Sequence, residues 1–403
     1  MFIFFSVSNC CTIIITKYVV EMLSKYFSSI IVSFLILTLA TRAQNKMDFS
    51  FFSTIGYIDK NNDFLLKSDS NWNNRFSNIG GELTFRGGEF GQTQYEMSLR
   101  YVTSSSNPNA AKFTLRQLYT QIPLTDYLFF TIGKREMEFG VAEFQNSSNK
   151  LSPKERLLGH IERLERQAPV LFQLDWITSS NISLGAFSWS NASEKWEDSN
   201  IGMQVEFQFD NFYNGLYFYY ENMKFWSIGI NISQQLYRFR IYGEGILKEK
   251  NEQFYAQLLN FTNKGKQFSF TSGLVYEWNY FSTRIEHIHR TEGFTGNEKM
   301  KIKELVINTG DLGGYNKSYF GKNYLGLSIG TSRFFISNLN FNITNLLSID
   351  DLGGEVGLNI SFIHKESVIF GGSLVYYYGK EESEYRLYLS NKFQTVISIS
   401  TSF

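Results

Sequence analysis

The fold class this sequence predicts is all-β, a transmembrane antiparallel β-barrel of 16–18 strands, and three observations carry it. Aromatic residues make up 17% of the chain, with 39 Phe and 24 Tyr, yet mean hydropathy is −0.20. A barrel with an apolar outside and a polar inside combines the two naturally, whereas a soluble core does not. The second observation is strict alternation. Ile201, Met203, Val205, Phe207 and Phe209 oppose Gly202, Gln204, Glu206 and Gln208, and Val356, Leu358, Ile360 and Phe362 oppose Glu355, Gly357, Asn359 and Ser361. A period of two puts each set on its own face of a sheet. A soluble sandwich alternates as well, so a third observation is needed: connections in the first half run long at 59–75, short at 88–91, medium at 104–111 and short at 123–126 before a long excursion. Short periplasmic turns and longer outer loops give that rhythm.

The elements follow in order. Residues 1–43 read as an export signal, with Lys25 before the apolar run Ile30 to Ala40 and small residues Ala40 and Ala43 at the cleavage positions, which leaves Gln44 first. Met22 is an alternative start. A retained anchor using Ile13 to Val20 is the competing view, but the run is shorter than the ~20 residues a spanning helix needs. Cys10 and Cys11 both precede residue 44, so a mature chain of 44–403 has neither disulfides nor thiolate ligands. Strands are expected near 47–57, 77–87, 93–103, 112–122, 127–137, 169–178, 181–189, 201–209, 214–221, 225–233, 236–247, 266–278, 280–290, 322–331, 334–345, 353–363, 367–378 and 394–403. That makes 18, with sixteen as the competing count and Asn251 to Phe261 as a further candidate strand. Around Arg116 to Leu118 the alternation slips, which predicts a bulge. Aromatic clusters at Tyr217 to Tyr220, Phe225-Trp226, Trp278 with Tyr280-Phe281, and Tyr376 to Tyr378 are expected to form girdles at the two lipid interfaces. The chain ends in alternation capped by Phe403, a common pattern among outer-membrane barrels.

The long excursion, 138–168, separates the strand Tyr127 to Gly133 from the strand Val170 to Trp176. Ser152-Pro153-Lys154-Glu155 has the spacing of a capping box with proline at the first helical position. Leu157, Leu158, Ile161 and Leu164 then recur at helical spacing, while Lys154, Glu155, Arg156, Glu162, Arg163, Glu165 and Arg166 fill the other faces. One apolar stripe beside a dense ionic face suits a helix folded into the barrel mouth, narrowing a water-filled pore. A helix on an exposed outer loop is the alternative.

Gly133-Lys134, Phe139-Gly140, Glu143-Phe144, Ser147-Ser148 and Glu155-Arg156, with the Tyr119 strand and Arg75 to Tyr101 carrying Gly80-Gly81 and Gly87-Gly88, resemble the phosphate-selective porins of the O and P type. The resemblance covers roughly 75–176. It implies a bacterial outer-membrane homotrimer of 16-strand barrels, each with an inward third loop and a basic pore. The 18-strand count disagrees with it, and the family's binding lysines map onto no motif of this chain.

If the apolar face meets outer-membrane lipid, Arg100 and Glu96 point inward, as do Arg238, Arg240 and Glu244, and Arg284 and Glu286. An Arg or Lys on the lipid side costs about 2–4 kcal/mol near the midplane, which fixes this register. Lys134, Arg156, Arg163 and Arg166 complete a set of candidate pore-lining cations. Guanidinium forks match carboxylate and phosphate oxygens, so the row is a candidate anion guide; the plainer reading pairs the arginines with Glu96, Glu244 and Glu286. A zero formal net charge points to no polyanion, and no nucleic-acid patch, zinc spacing, phosphate-cradling loop or cofactor motif is seen. His287 and His289 share a strand face but are expected to point outward, and His160 beside Glu162 and Glu165 is explained by solvated helix charges. The function expected is passive diffusion of small hydrophilic solutes, without catalysis. The alternative is a surface glycan binder using Trp72 and Trp196.

Overall fold

In the computed structural model the chain is described at residues 46–60, 75–88, 92–104, 107–137, 140–142, 144, 168–179, 181–190, 199–221, 225–249, 266–291, 293–295, 321–332, 338–364, 368–380, 383, 385 and 391–402. The leader with Met22, Asn251 to Phe261, the loop helix with Arg156, His160, Arg163 and Arg166, and Trp72 and Trp196 lie outside the described residues.

Among the described residues there are eighteen strands. They are β1 Lys46–Lys60, β2 Arg75–Gly87, β3 Gln94–Ser104, β4 Asn107–Pro123, β5 Leu128–Lys134 and β6 Val170–Ser179. Next come β7 Ile182–Ser190, β8 Ser199–Phe209, β9 Phe212–Glu221, β10 Phe225–Leu236, β11 Phe239–Lys248 and β12 Gln267–Trp278. The last are β13 Phe281–Arg290, β14 Asn323–Thr331, β15 Leu339–Ser348, β16 Gly354–His364, β17 Val368–Tyr378 and β18 Asn391–Ser402. Each pairs antiparallel with the next, and β18 returns to β1 with Ser402 opposite Ser50 and Asn391 opposite Lys60. The ring closes, so among the described residues no strand is left without a neighbour on either side. The 18-strand count replaces the 16 implied by the phosphate-selective resemblance.

The two faces of the wall are chemically opposite. On β10, Ile228, Ile230 and Ile232 are 40–42% exposed while Asn231 between them is fully buried, and Ser227 and Ser233 are buried with it. Leu216 and Phe218 on β9, Ile241 on β11, Leu274 on β12 and Ile285 on β13 continue the exposed apolar belt, and Glu244, Thr271 and Glu286 continue the buried polar face. An apolar belt of this extent has lipid as its solvent. Ile230 lies mid-strand on the lipid side, so Ile230→Arg is expected to destabilise the barrel by about 2–4 kcal/mol in urea unfolding from phospholipid vesicles, against a far smaller effect of Ile230→Ala.

The slip predicted near Arg116 is a bulge: Ser98 faces Gln117 and Leu99 faces Leu115, leaving Arg116 as the extra residue. At one end of the barrel, two-residue turns join β8 to β9, β10 to β11 and β12 to β13, with Asp210, Tyr237 and Asn279 at φ 45°, 57° and 52°. Positive φ at the first turn residue matches the twist of a tight hairpin, and Asp and Asn tolerate it. Tyr237 is the bulky exception, and the Arg238 guanidinium lies 5.2 Å from its ring centre. Both ends of the strand ring lie at this short-turn end, with Lys46 opposite Arg86 beside the β2–β3 connection.

The girdle expectation holds in part. Trp278, Tyr280 and Phe281 stand exposed at the short-turn end, and Tyr376 is half exposed toward lipid. Tyr217, Tyr219 and Tyr377 are almost wholly buried and belong to the lumen. In Tyr217 to Tyr220 both faces carry aromatics, so alternation gives no contrast between them.

Candidate functional site

The chain leaves β5 and crosses the lumen. Met137 enters a cluster on the wall of β6–β11 with Leu171, Phe187, Trp189, Tyr217, Tyr219 and Ile246. Ala142, with Val141 against it, packs on Tyr242 and Val275, and Phe144 reaches Ile288, Tyr324, Leu346 and Tyr377 on the far side of the ring. The inward loop expected from the sequence is therefore seen over its first stretch.

Two buried carboxylates hold it. The Val141 and Ala142 amides donate to Glu244 Oε2 at 3.0 and 3.4 Å, and the Phe144 amide donates to Glu286 Oε2 at 3.0 Å. Glu286 Oε1 accepts from the Tyr242 hydroxyl and lies 3.8 Å from Arg284 Nη1. Glu244 is 1% exposed and Glu286 is fully buried, so their charges act on these donors rather than on bulk water. Glycines shape the seat: a Cβ on Gly326 would stand 2.6 Å from the Phe144 ring, and one on Gly273 would stand 2.2 Å from the Tyr242 ring. The missing side chains let both rings lie against the wall.

The proposed cations divide into three situations. Arg100 is buried and committed to Glu82, with Nε at 2.9 Å and Nη2 at 2.6 Å. Arg116, which sequence reasoning marked only as a bulge, donates to both Glu82 oxygens at 3.2 Å and to Glu136 Oε2 at 3.1 Å, closing a network that also takes Ser98. Lys134 is opposite Leu118 and donates through Nζ to the Leu115 carbonyl at 2.5 Å, beside the bulge. A bulge disrupts the local ladder, and the ammonium supplies a donor there.

Arg238 sits on the β10–β11 turn at the rim. Arg240 and Arg284 lie within the lumen on one cross-strand row, Arg240 opposite Val275 and Val275 opposite Arg284. Two strand spacings put their backbones about 10 Å apart. The Arg240 Nε is buried and makes no hydrogen bond among the described residues. The pairing reading is thus half met: Arg284 approaches Glu286, while Glu244 is turned to the loop amides. His287 and His289 share the outward parity of Ile285, and the His289 Nδ1 lies 2.8 Å from Asn323 Oδ1. No group of three or more His, Cys, Asp or Glu suited to a metal occurs among the described residues.

No family model and no curated protein matches the chain. Solved structures do. Pseudomonas aeruginosa OccK2 (OpdF) in complex with glucuronate is similar with a TM-score of 0.59 at 10% identity, over 89% of this chain and 98% of that one. Acinetobacter baumannii OccAB1 gives 0.58 at 10%, over 90% and 96%. Pseudomonas aeruginosa OpdK with vanillate gives 0.57 at 9%, over 89% and 98%. These belong to the OprD and Occ group, and the narrower resemblance to phosphate-selective O and P porins finds no support among them. Identities this low speak for the fold alone, and with its closed ring and apolar belt the chain is a transmembrane β-barrel of the architecture found in the OprD and Occ porins.

Proposed function

We propose that this barrel is a water-filled channel for passive diffusion of small hydrophilic solutes, with a preference for anions. The observation that carries the reading is a polar-walled closed ring whose bore is crossed by a loop segment fastened to Glu244 and Glu286. A barrel meant only to anchor surface loops needs neither a polar bore nor a constriction. The preference for anions rests on Arg240 and Arg284 in one row, with Arg238 at the rim. Arg156, Arg163 and Arg166 would add to it from the loop, whereas Arg100 is paired with Glu82 and Lys134 is held on the Leu115 carbonyl. Two of the similar structures hold glucuronate and vanillate, both carboxylates at neutral pH, which is in keeping with anionic cargo.

Purified protein in a planar bilayer should give stepwise currents, and in a KCl gradient the reversal potential should have the sign of chloride selectivity. A silent barrel removes the channel reading, and cation selectivity removes the preference. Inorganic phosphate belongs to the same proposal, read as competition with chloride current. A homotrimer rests on the sequence resemblance alone, and native mass spectrometry in detergent would count the copies.

A further inference from the structure

On the lipid side of β13, His287 and His289 follow Ile285 along one face and are half-buried there, outside the bore. We propose that this pair binds a divalent late transition metal ion, Zn²⁺, Ni²⁺ or Cu²⁺, on the outer wall of the barrel.

A chain of hydrogen bonds orients the second ring. Asp350, on the turn between β15 and β16, accepts the Lys322 and Asn323 amides on Oδ2 at 2.6 and 2.9 Å, which pins its carboxylate against the start of β14. Its Oδ1 accepts from Asn323 Nδ2 at 3.0 Å. An ionised carboxylate only accepts, so the amide turns its nitrogen to Asp350 and its oxygen to His289, whose Nδ1 stands 2.8 Å away. Nδ1 therefore carries the proton, and the Nε2 lone pair is left for a ligand. Metal sites hold their imidazoles in this way, through a hydrogen bond from the other ring nitrogen.

The spacing fits one ion. Residues two apart on a strand lie about 6.7 Å from one another. Zn–N bonds of about 2.0–2.1 Å at a tetrahedral angle put two nitrogens roughly 3.4 Å apart, so each ring has to lean about 1.7 Å along the strand, a direction strand side chains commonly take. Imidazole selects zinc, copper and nickel, whereas magnesium and calcium prefer carboxylate and carbonyl oxygen. The described residues offer no group of three or more His, Cys, Asp or Glu, so the chain supplies two ligands and water or a lipid phosphate oxygen completes the set. The level suits such a site. His289 is eight residues beyond Phe281 of the short-turn girdle, a height of roughly 20 Å on a strand tilted by about 40°, against an apolar band about 25 Å tall. It stands near the far edge of the band, where head groups and water begin.

The test uses the detergent-solubilised barrel purified without a polyhistidine tag. One equivalent of Cu²⁺ should give an electron paramagnetic resonance spectrum with hyperfine coupling to two imidazole nitrogens, and Zn²⁺ but not Mg²⁺ should displace it. That spectrum is read on the unaltered protein, so it stands even where a variant fails to assemble. In calorimetry with Zn²⁺, His287→Ala and His289→Ala should each lose affinity by at least about tenfold, the scale of losing one ligand or its support. Asn323→Leu keeps both rings but releases the second from its relay, and should weaken binding by a smaller factor. The chain has two other histidines, and His160→Ala with His364→Ala should leave binding unchanged. Absence of bound copper, coupling to a single imidazole, displacement by Mg²⁺, unchanged affinity in any of the first three variants, or lost affinity in the fourth would each overturn the proposal.

Discussion

Replacing Glu244 and Glu286 together with alanine should raise single-channel conductance severalfold, the largest functional change expected from any pair of substitutions in the wall. Three loop amides donate to these two carboxylates. A hydrogen bond to a charged group contributes about 1.5–3 kcal/mol, so the set holds the loop by roughly 5 kcal/mol. Removing that much converts a fixed crossing into one that is often off its seat, since roughly 5.5 kcal/mol separates a 99:1 from a 1:99 population. Glu244→Gln keeps an acceptor without the charge and should give an intermediate conductance. Phe144→Ala removes the ring from its notch at Gly326 and leaves the amide bonds, so it should widen the bore less than the double variant. If the double variant conducts like the wild type while remaining folded, the crossing segment is not what limits flow.

The second large effect concerns selectivity. Arg240→Glu should move the reversal potential in a salt gradient toward the cation side, and Arg240→Gln with Arg284→Gln should abolish anion preference with little change in conductance. Both arginines lie on one row of the lumen, and Arg240 is only partly buried there, so its charge acts on a passing ion. Screening gives a further check. The Debye length is about 10 Å at 0.1 M salt and about 30 Å at 0.01 M, so the wild-type preference should strengthen on dilution and that of the double Gln variant should not. Arg100→Gln is the internal contrast. Its charge is spent on Glu82, so the substitution should cost stability in urea unfolding while leaving selectivity close to wild type.

Much of this architecture was legible in the residues, and the reasons are physical. Where one face must meet lipid and the other water, period two becomes a strong signal, as in Ile228 to Ser233, and the strand count follows. The loop's charged stretch lies outside the described residues, and what enters the lumen is its apolar start, Met137, Val141, Ala142 and Phe144, which the composition did not single out. The irregularity at Arg116 could be seen as a slip in pattern, but that the extra residue would bridge Glu82 and Glu136 depends on register across three strands. The fastening by Glu244 and Glu286 was hidden for a related reason. Inward acidic residues near inward arginines suggest ion pairs, and backbone amides arriving from more than a hundred residues away carry no sequence signature. Aromatic placement was misread where rings occupy both faces, since phenylalanine and tyrosine suit a membrane interface and a lumen wall equally well.

The inward glycines at 185, 215, 273 and 326 have a consequence for how such a conduit changes over time. Each is a place where relief is set by what is missing, and each is filled by a neighbour's side chain rather than by solvent. A single methyl group gained at any of the four would redirect that neighbour and resculpt the passage, while every rung of the surrounding ladder stayed paired. Cargo preference can therefore drift by small steps in a scaffold whose outline does not move, and lineages sharing this outline have little reason to share an alphabet along its inner surface.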